Sequence, residues 1–218
     1  MNFAARHWLS AVLLAVLALL PSSAFSVMTP EQIKAINVNT YRKAAEQGNA
    51  DGQVNLADCY ARGVGVAKDE VEAVKWLRKA AAQGYSRAQC QLGYCYARGQ
   101  GVAKDEVEAV AWYRKAAAQG YAEAQIQLGY LYTRGQGVTK DEDEAYAYWS
   151  LVPARFQFIR DQLAVLETNL APDARLRGQQ RTKELQKEID ANKVATEAVE
   201  LKLASHSGVR LLKPKAGK

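Results

Sequence analysis

The chain has 218 residues and a formal net charge of +6, with 49% hydrophobic and 24% charged residues. That length suits one domain or one short repeat array, and the hydrophobic content is too high for intrinsic disorder. The two histidines, His7 and His206, lie near the chain ends. A histidine-based metal site, a Ser-His-Asp triad and a Cys-His dyad therefore have no well-placed imidazole. Because 38 residues are alanine, the composition favours closely packed helices.

The N-terminal residues 1–26 have the organisation of a secretory signal. A basic start precedes an apolar run over residues 8–20, and a proline and several small residues follow it. The run has 13 residues, whereas a membrane-spanning helix needs about 20. We therefore predict a cleavable signal peptide and a periplasmic or secreted mature protein, in preference to an uncleaved anchor. Cleavage is expected after Ser26 or, alternatively, after Ala24.

A repeat with a period of 36 residues occupies the middle of the chain. The spacing relates Tyr60, Tyr96 and Tyr132, the pairs Lys68-Asp69, Lys104-Asp105 and Lys140-Asp141, and the aromatic residues Trp76, Trp112 and Tyr148. Residues 50–157 divide accordingly into three units, 50–85, 86–121 and 122–157. Such self-similarity predicts a solenoid in which each unit stacks on its neighbour.

The glycines and aspartates of each unit predict two helices. In the middle unit, helical spacing runs over residues 86–98 and stops at Gly99, which can take the left-handed conformation of a helix C-cap. We expect a second helix to begin at Asp105, with Glu108 in a capping-box arrangement, and to end at Gln119-Gly120. The glycine loops that join the two helices lack the features of phosphate-binding loops, so they are predicted to be turns.

The segments on either side of the repeats are predicted to cap the array. Residues 27–49 should contain an N-terminal capping helix, and residues 158–204 should form C-terminal capping helices that are broken at Pro172. In the third unit, Pro153 should end the second helix early or kink it. Residues 205–218 are predicted to be a basic mobile tail.

Residues 50–157 resemble the Sel1-like repeat family, a branch of the tetratricopeptide-like helical solenoids. The resemblance in the second unit is carried by Ala88, Leu92-Gly93, Tyr96, Gly99-x-Gly101-Val102, Lys104-Asp105, Ala109, Trp112, Ala116-Ala117 and Gly120. The third unit matches similarly, and the first departs at Ala57, where the pattern has glycine. The resemblance implies an all-α fold, a right-handed α/α solenoid of helix pairs closed by C-terminal capping helices.

One polar face of the first helices is the candidate binding surface. Residues at offsets of four, three and four recur in each unit, so each set lies on one helical face opposite the packed stripe. The sets are Asp51, Asn55, Asp58 and Arg62; Arg87, Gln91, Tyr94 and Arg98; and Glu123, Gln127, Tyr130 and Arg134. In this architecture the stacked first helices line the concave surface, which predicts one continuous groove.

The preferred ligand contacts in that groove are Tyr94, Tyr130, Arg98 and Arg134. Tyrosine and arginine anchor interfaces most often, because each combines a large contact area with directional hydrogen bonding. The alternative is that the two tyrosines cover neighbouring helices while the two arginines are only solvated.

The three cysteines are predicted to be buried thiols. Cys59 and Cys95 occupy equivalent positions in adjacent units, and Cys90 lies five residues before Cys95. Five residues turn a helix by about 500°, which points Cys90 and Cys95 apart. A bridge from Cys59 to one of the other two cysteines is the alternative.

The balance of charge argues against a nucleic-acid partner for the repeats. Residues 27–171 hold 17 basic and 17 acidic residues, while residues 172–218 hold 11 basic and 6 acidic residues. We therefore predict an exported, non-enzymatic scaffold or adaptor that binds a peptide or protein segment, with no cofactor and no metal.

Two alternatives to the scaffold remain open. The resemblance to cysteine-rich exported relatives implies a β-lactam-binding or hydrolysing protein, which the absence of a Ser-x-x-Lys pattern disfavours. Alternatively, the basic C-terminal tail makes weak contact with an anionic envelope polymer or lipid.

Overall fold

The computed structural model describes residues 30–207, which form nine α-helices. The helices are α1 (Pro30–Glu46), α2 (Ala50–Arg62), α3 (Glu70–Ala82), α4 (Ser86–Arg98), α5 (Glu106–Ala117), α6 (Ala122–Arg134), α7 (Glu142–Ser150), α8 (Gln157–Asn169) and α9 (Pro172–Ser207). No strand occurs in this part of the chain, so the predicted all-α class is confirmed. The predicted signal at 1–26 and the tail beyond Ser207 lie outside the described residues.

The helices pack as successive antiparallel pairs. Each unit contributes one pair, α2 with α3, α4 with α5 and α6 with α7, and each pair also contacts the next along the chain. Helix α1 lies within the predicted capping segment 27–49 and packs on α2. The predicted helical solenoid is therefore confirmed.

The first helix of each unit ends at a glycine, as predicted. Gly99 has a φ of 69°, in the left-handed region that glycine adopts without strain, and its N–H donates to the carbonyl of Cys95. The equivalent glycines that follow α2 and α6 have the same conformation. The chain can therefore turn immediately into the loop that leads to the second helix.

The second helices are capped by aspartate, but the predicted capping box is incomplete. The carboxylate of Asp105 accepts hydrogen bonds from the N–H groups of Val107 and Glu108. The N–H of Asp105 donates to the carbonyl of Tyr96 at 2.9 Å, so the reciprocal bond from Glu108 is not made. The same backbone bond, 2.8 to 3.0 Å long, recurs in the other two units. It ties the start of each second helix to the last turn of the first.

Within each unit the two helices approach closely where a small residue meets a large one. A Cβ added to Gly93 would lie 2.8 Å from the ring of Tyr113, and one added to Gly129 would lie 2.1 Å from the indole nitrogen of Trp149. The first unit has Ala57 at this position, and the facing residue is Leu77 in the same buried cluster. The departure from the repeat pattern at Ala57 is thus matched by a smaller partner.

Between units, the loop of one repeat rests on the second helix of the preceding repeat. A Cβ on Gly101 would lie 2.1 Å from the carbonyl oxygen of Glu70, and one on Gly137 would lie 2.2 Å from that of Glu106. In the second and third loops, the second glycine is therefore required by the contact between units as well as by the turn.

A buried glutamine also joins neighbouring helices in the first two units. Gln119 donates through Nε2 to Oε1 of Gln89 at 2.8 Å, and Gln83 donates to Gln53 at the same distance. The third unit lacks this bond, since Arg155 stands at the position of Gln83 and Gln119, and its second helix already ends at Ser150, as the proline after it predicts. Oε1 of the equivalent Gln125 is buried and has no hydrogen-bond partner among the described residues.

The long helix α9 closes the array by packing across α7 and the end of α5. Arg181 pairs with Glu144 at 2.8 Å, and Asn192 donates to the carbonyl of Ala118 at 2.9 Å. The helix continues through Ser207, the last described residue, so residues 205–207 are helical and the predicted boundary at 204 is wrong by at least three residues. Within residues 30–207, no helix combines the length and apolar character needed to span a bilayer.

The close contact at Gly129 generates a stability prediction. Gly129→Ala should lower the free energy of unfolding by about 2 kcal/mol, because the added methyl group overlaps Trp149. In a Trp149→Leu background, which reproduces the Ala57–Leu77 pair, the same substitution should cost less than about 1 kcal/mol. Urea denaturation of the four proteins measures this coupling. An equal cost in both backgrounds would show that the ring does not set the helix spacing.

Candidate binding site

Two open grooves lie at successive junctions between units. Groove 1, between α2 and α4, has a volume of about 400 Å³, and groove 2, between α4 and α6, has a volume of about 440 Å³. Polar side chains line groove 1 at Asp58, Arg62, Lys68, Glu70, Gln91, Tyr94 and Gln100, and groove 2 at Arg98, Lys104, Glu106, Gln127, Tyr130, Arg134 and Gln136. Most of these residues are related by 36 positions, so the two grooves are repeats of one site.

Most of the predicted site residues line one of these grooves. Groove 1 contains Asp58, Arg62, Gln91 and Tyr94, and groove 2 contains Gln127, Tyr130, Arg98 and Arg134. Asn55 and Arg87 line neither groove. The predicted surface is thus divided into two grooves of similar shape at successive junctions.

Asn55 and Arg87 connect the first helices of adjacent units. Arg87 of α4 donates through Nη2 to Asp58 of α2 at 2.8 Å and through Nη1 to Asn55 at 3.4 Å. Gln91 donates to the second oxygen of Asp58 at 3.0 Å, so both carboxylate oxygens are engaged. Near the start of α2, Tyr85 donates to Asp51, and this bond raises the pKa of Tyr85. The polar face of α2 is therefore used largely to hold α4.

The two candidate tyrosines differ in their surroundings. Tyr94 is 44% exposed, with the guanidinium carbon of Arg98 5.4 Å from its ring centre. Tyr130 is half-buried and packs edge-on against Trp149, with ring centres 5.2 Å apart. Burial raises the pKa of the Tyr130 hydroxyl. Tyr130 therefore covers a neighbouring helix, as the alternative interpretation expects, whereas Tyr94 presents its ring to solvent.

Sequence reasoning missed the lysine and glutamate that form one wall of each groove. Lys68 pairs with Glu70 and Lys104 with Glu106, both at 2.7 Å. These residues flank the N-cap aspartate, so in the sequence their pattern indicates the start of a helix. The recurrence of an exposed Lys-Asp-Glu sequence in all three units was the available signal, because capping alone requires only the aspartate.

A further cavity, on the side of the second helices, serves the attachment of α9. It has a volume of about 380 Å³ and lies beside Arg181 of α9, Glu144 of α7 and Arg114 of α5. Arg181 pairs with Glu144, and Arg114 donates to the hydroxyl of Tyr132 at 2.5 Å. Because these charged side chains bond to groups of the protein itself, we assign the cavity to helix packing.

The three cysteines are unpaired thiols in the structure. Burial raises the pKa of Cys90 to about 12 and that of Cys95, which lines groove 1, to about 11. It also raises the pKa of Cys59. Cys90 and Cys95 pack against different hydrophobic clusters, as the five-residue spacing predicts. No three His, Cys, Asp or Glu side chains within residues 30–207 form a metal-binding group.

The raised thiol pKa values predict weak reactivity in the folded protein. Only the thiolate reacts with iodoacetamide, and pKa values above 9 leave little thiolate at pH 8. We expect alkylation of Cys90 and Cys95 to be at least about tenfold slower in the native protein than in urea. Mass spectrometry of peptides after timed labelling measures the rates. Cys90 and Cys95 are partly buried, whereas Cys59 is buried as predicted. Equal native and unfolded rates at Cys90 would contradict its raised pKa.

The stacked helix pairs define the molecule as an α/α solenoid built from 36-residue units. The family model of the Sel1 repeat matches residues 41–49, 50–85, 86–121 and 122–151. The chain therefore belongs to the Sel1 repeat family. This fold is generally a non-catalytic scaffold, and Sel1 repeat proteins generally bind protein partners.

Two solved structures of similar proteins match different fractions of the chain. A Sel1 repeat protein from Oxalobacter formigenes is 36% identical with a TM-score of 0.54, over 59% of this chain and 97% of that one. The protein c5321, a protective antigen present in uropathogenic Escherichia coli strains that displays an SLR fold, is 28% identical with a TM-score of 0.52. That match covers 92% of this chain but 49% of c5321, so this chain spans about half its length. No curated protein matches the chain.

Proposed function

We propose that the protein is an exported, non-enzymatic scaffold that binds a peptide or protein segment along grooves 1 and 2. The observation that carries this proposal is the repetition of one open groove, with the same polar and aromatic side chains, at successive junctions. A segment that runs along the solenoid meets equivalent side chains twice, so each groove adds to the binding of a single ligand.

The side chains of the grooves suit recognition of a polypeptide. Gln127 brings an amide group into groove 2, and an amide can both donate to and accept from a peptide backbone. Tyr94 offers a large exposed ring in groove 1. Because these residues stand on packed helices, little conformational freedom has to be lost on binding.

The state of the groove carboxylates supports binding rather than catalysis. Both oxygens of Asp58 accept hydrogen bonds, and Glu70 and Glu106 each pair with a lysine. These contacts are all made within the protein, whereas a general acid or base must lie within hydrogen-bond reach of its substrate.

Site-specific photo-crosslinking tests the proposed binding surface. A crosslinking amino acid placed at Gln100, in groove 1, should form adducts with a partner protein in intact cells. The same amino acid at Val107, which is 67% exposed on α5, provides the matched control and should not form them. Identical adducts from both positions, or none from Gln100, would refute binding in the grooves.

The exposed Tyr94 gives a second test of the same surface. Tyr94→Ala in the Gln100 crosslinking background should lower adduct yield about tenfold, because a central aromatic contact is lost. The free energy of unfolding should change by less than about 1 kcal/mol, since Tyr94 is 44% exposed and lies outside the buried clusters. We prefer this single variant to one that includes Tyr130, whose packing on Trp149 also contributes to stability. An unchanged yield would exclude Tyr94 as a contact.

Export is the part of the proposal that rests on residues 1–26 and their basic, apolar and small-residue segments. The protein recovered from the periplasm or medium should begin at Val27 or, for the alternative cleavage site, at Phe25. Intact-mass spectrometry of the fractionated protein distinguishes these forms. Recovery of the uncleaved chain in the cytoplasm would refute export.

A further inference from the structure

One arginine ends each of the three first helices. Arg62, Arg98 and Arg134 stand 36 residues apart, are exposed, and line groove 1 or groove 2. None of the three takes part in an ion pair within residues 30–207, where the nearby lysines are paired. We call this row of residues the arginine ladder.

The other charges of the two grooves are compensated within the protein. Glu70 and Glu106 pair with their lysines at 2.7 Å, and Asp58 pairs with the arginine of the next helix at 2.8 Å. The uncompensated charge of the grooves is therefore positive and is carried by the arginine ladder. Groove 2 contains both Arg98 and Arg134 and therefore carries more of this positive charge than groove 1.

Tyrosine rings hold two of the three guanidinium groups in place. Arg98 lies 5.4 Å from the ring centre of Tyr94, and Arg134 lies 5.5 Å from that of Tyr130. A guanidinium on an aromatic face keeps its N–H donors at the edge of the plane, where a carboxylate can bind two of them at once. These pairs are consequently prepared for an anionic ligand group.

The repeat also sets the spacing of such groups. The first helices of adjacent units contact each other through the Arg87–Asp58 pair, and packed helices lie about 8–10 Å apart. A peptide in the extended polyproline II conformation advances about 3.1 Å per residue with three residues per turn, so side chains three residues apart lie on one face, about 9 Å apart. Carboxylates on every third residue of such a peptide therefore match successive members of the arginine ladder.

We propose that the partner segment is an extended acidic peptide with carboxylates at every third residue, bound to the arginine ladder. This inference rests on the proposed function, since it names the chemistry of the ligand in the same grooves. A peptide fits better than a lipid surface, because a flat headgroup layer does not enter two separate grooves. A peptide backbone can also bond to the amide of Gln127, which lines groove 2 together with Arg98 and Arg134.

Fluorescence anisotropy with a labelled synthetic peptide tests the proposal. The peptide carries glutamate at every third position, with alanine and serine between. The double variant Arg98→Gln with Arg134→Gln should weaken its binding by roughly tenfold or more, because two charge-assisted contacts are lost. The control is Lys79→Gln with Lys115→Gln, which removes the same charge from tryptophan-stacked lysines, also 36 residues apart, on the second helices. Its affinity should stay within about twofold of the wild type.

A second peptide separates spacing from charge alone. It has the same composition but contiguous glutamates, and it should bind the wild-type protein roughly tenfold more weakly than the spaced peptide. Equal binding of the two peptides would overturn the proposal. Equally tight, arginine-dependent binding of a carboxylated polysaccharide would also overturn it, in favour of a general polyanion site.

Two results distinguish a failure of the acidic-ligand proposal from a failure of the scaffold function. If the Gln100 crosslinker captures a partner whose binding is unaffected by the Arg98→Gln with Arg134→Gln variant, the scaffold function stands and the acidic ligand is refuted. If crosslinking gives no groove-specific adduct, the scaffold function itself is refuted.

Discussion

The distance between the two helices of a unit depends on a ring that packs against a residue with little or no side chain. Tyr113 occupies the space that a Cβ on Gly93 would need, and Trp149 does the same at Gly129. This spacing lets the loop close with the bond from Asp105 to the carbonyl of Tyr96. The lysine and glutamate of the groove wall flank that aspartate, so the shape of each groove follows from the packing inside the units.

Charge is balanced over the repeat array as a whole but not within the two grooves. The formal charge of +6 comes mainly from the C-terminal residues, and the repeats hold equal numbers of acidic and basic groups. Within the grooves, however, the acidic groups are engaged by lysines or by Arg87, while the arginine ladder is left without a carboxylate. Under the proposed function, local pairing rather than net charge therefore sets the ligand charge that suits a groove.

The helix pairs could be predicted because their signals are local. Glycine at a left-handed position and aspartate at an N-cap mark the helix termini directly, so α4 has the predicted bounds and α7 ends early before Pro153. The candidate site was less predictable, because helical offsets do not distinguish a solvent-facing side chain from one that bonds to a neighbouring helix. Arg87 bonds to Asp58 of a neighbouring helix, and Tyr130 packs partly against Trp149 of another. These partners can be identified only once the helices are packed.

A stack of identical units can in principle continue indefinitely, and in this chain the array of repeats ends at the third unit. Its shortened α7 is covered by α9, and Arg177 of α9 pairs with Asp143 beside the third loop at 2.6 Å. Each of the first two loops faces the first helix of the next unit across a groove. The cavity at the third loop is lined instead by residues of α9. Under the proposed function, the position of α9 thus limits the length of the segment that repeated contacts along grooves 1 and 2 can hold.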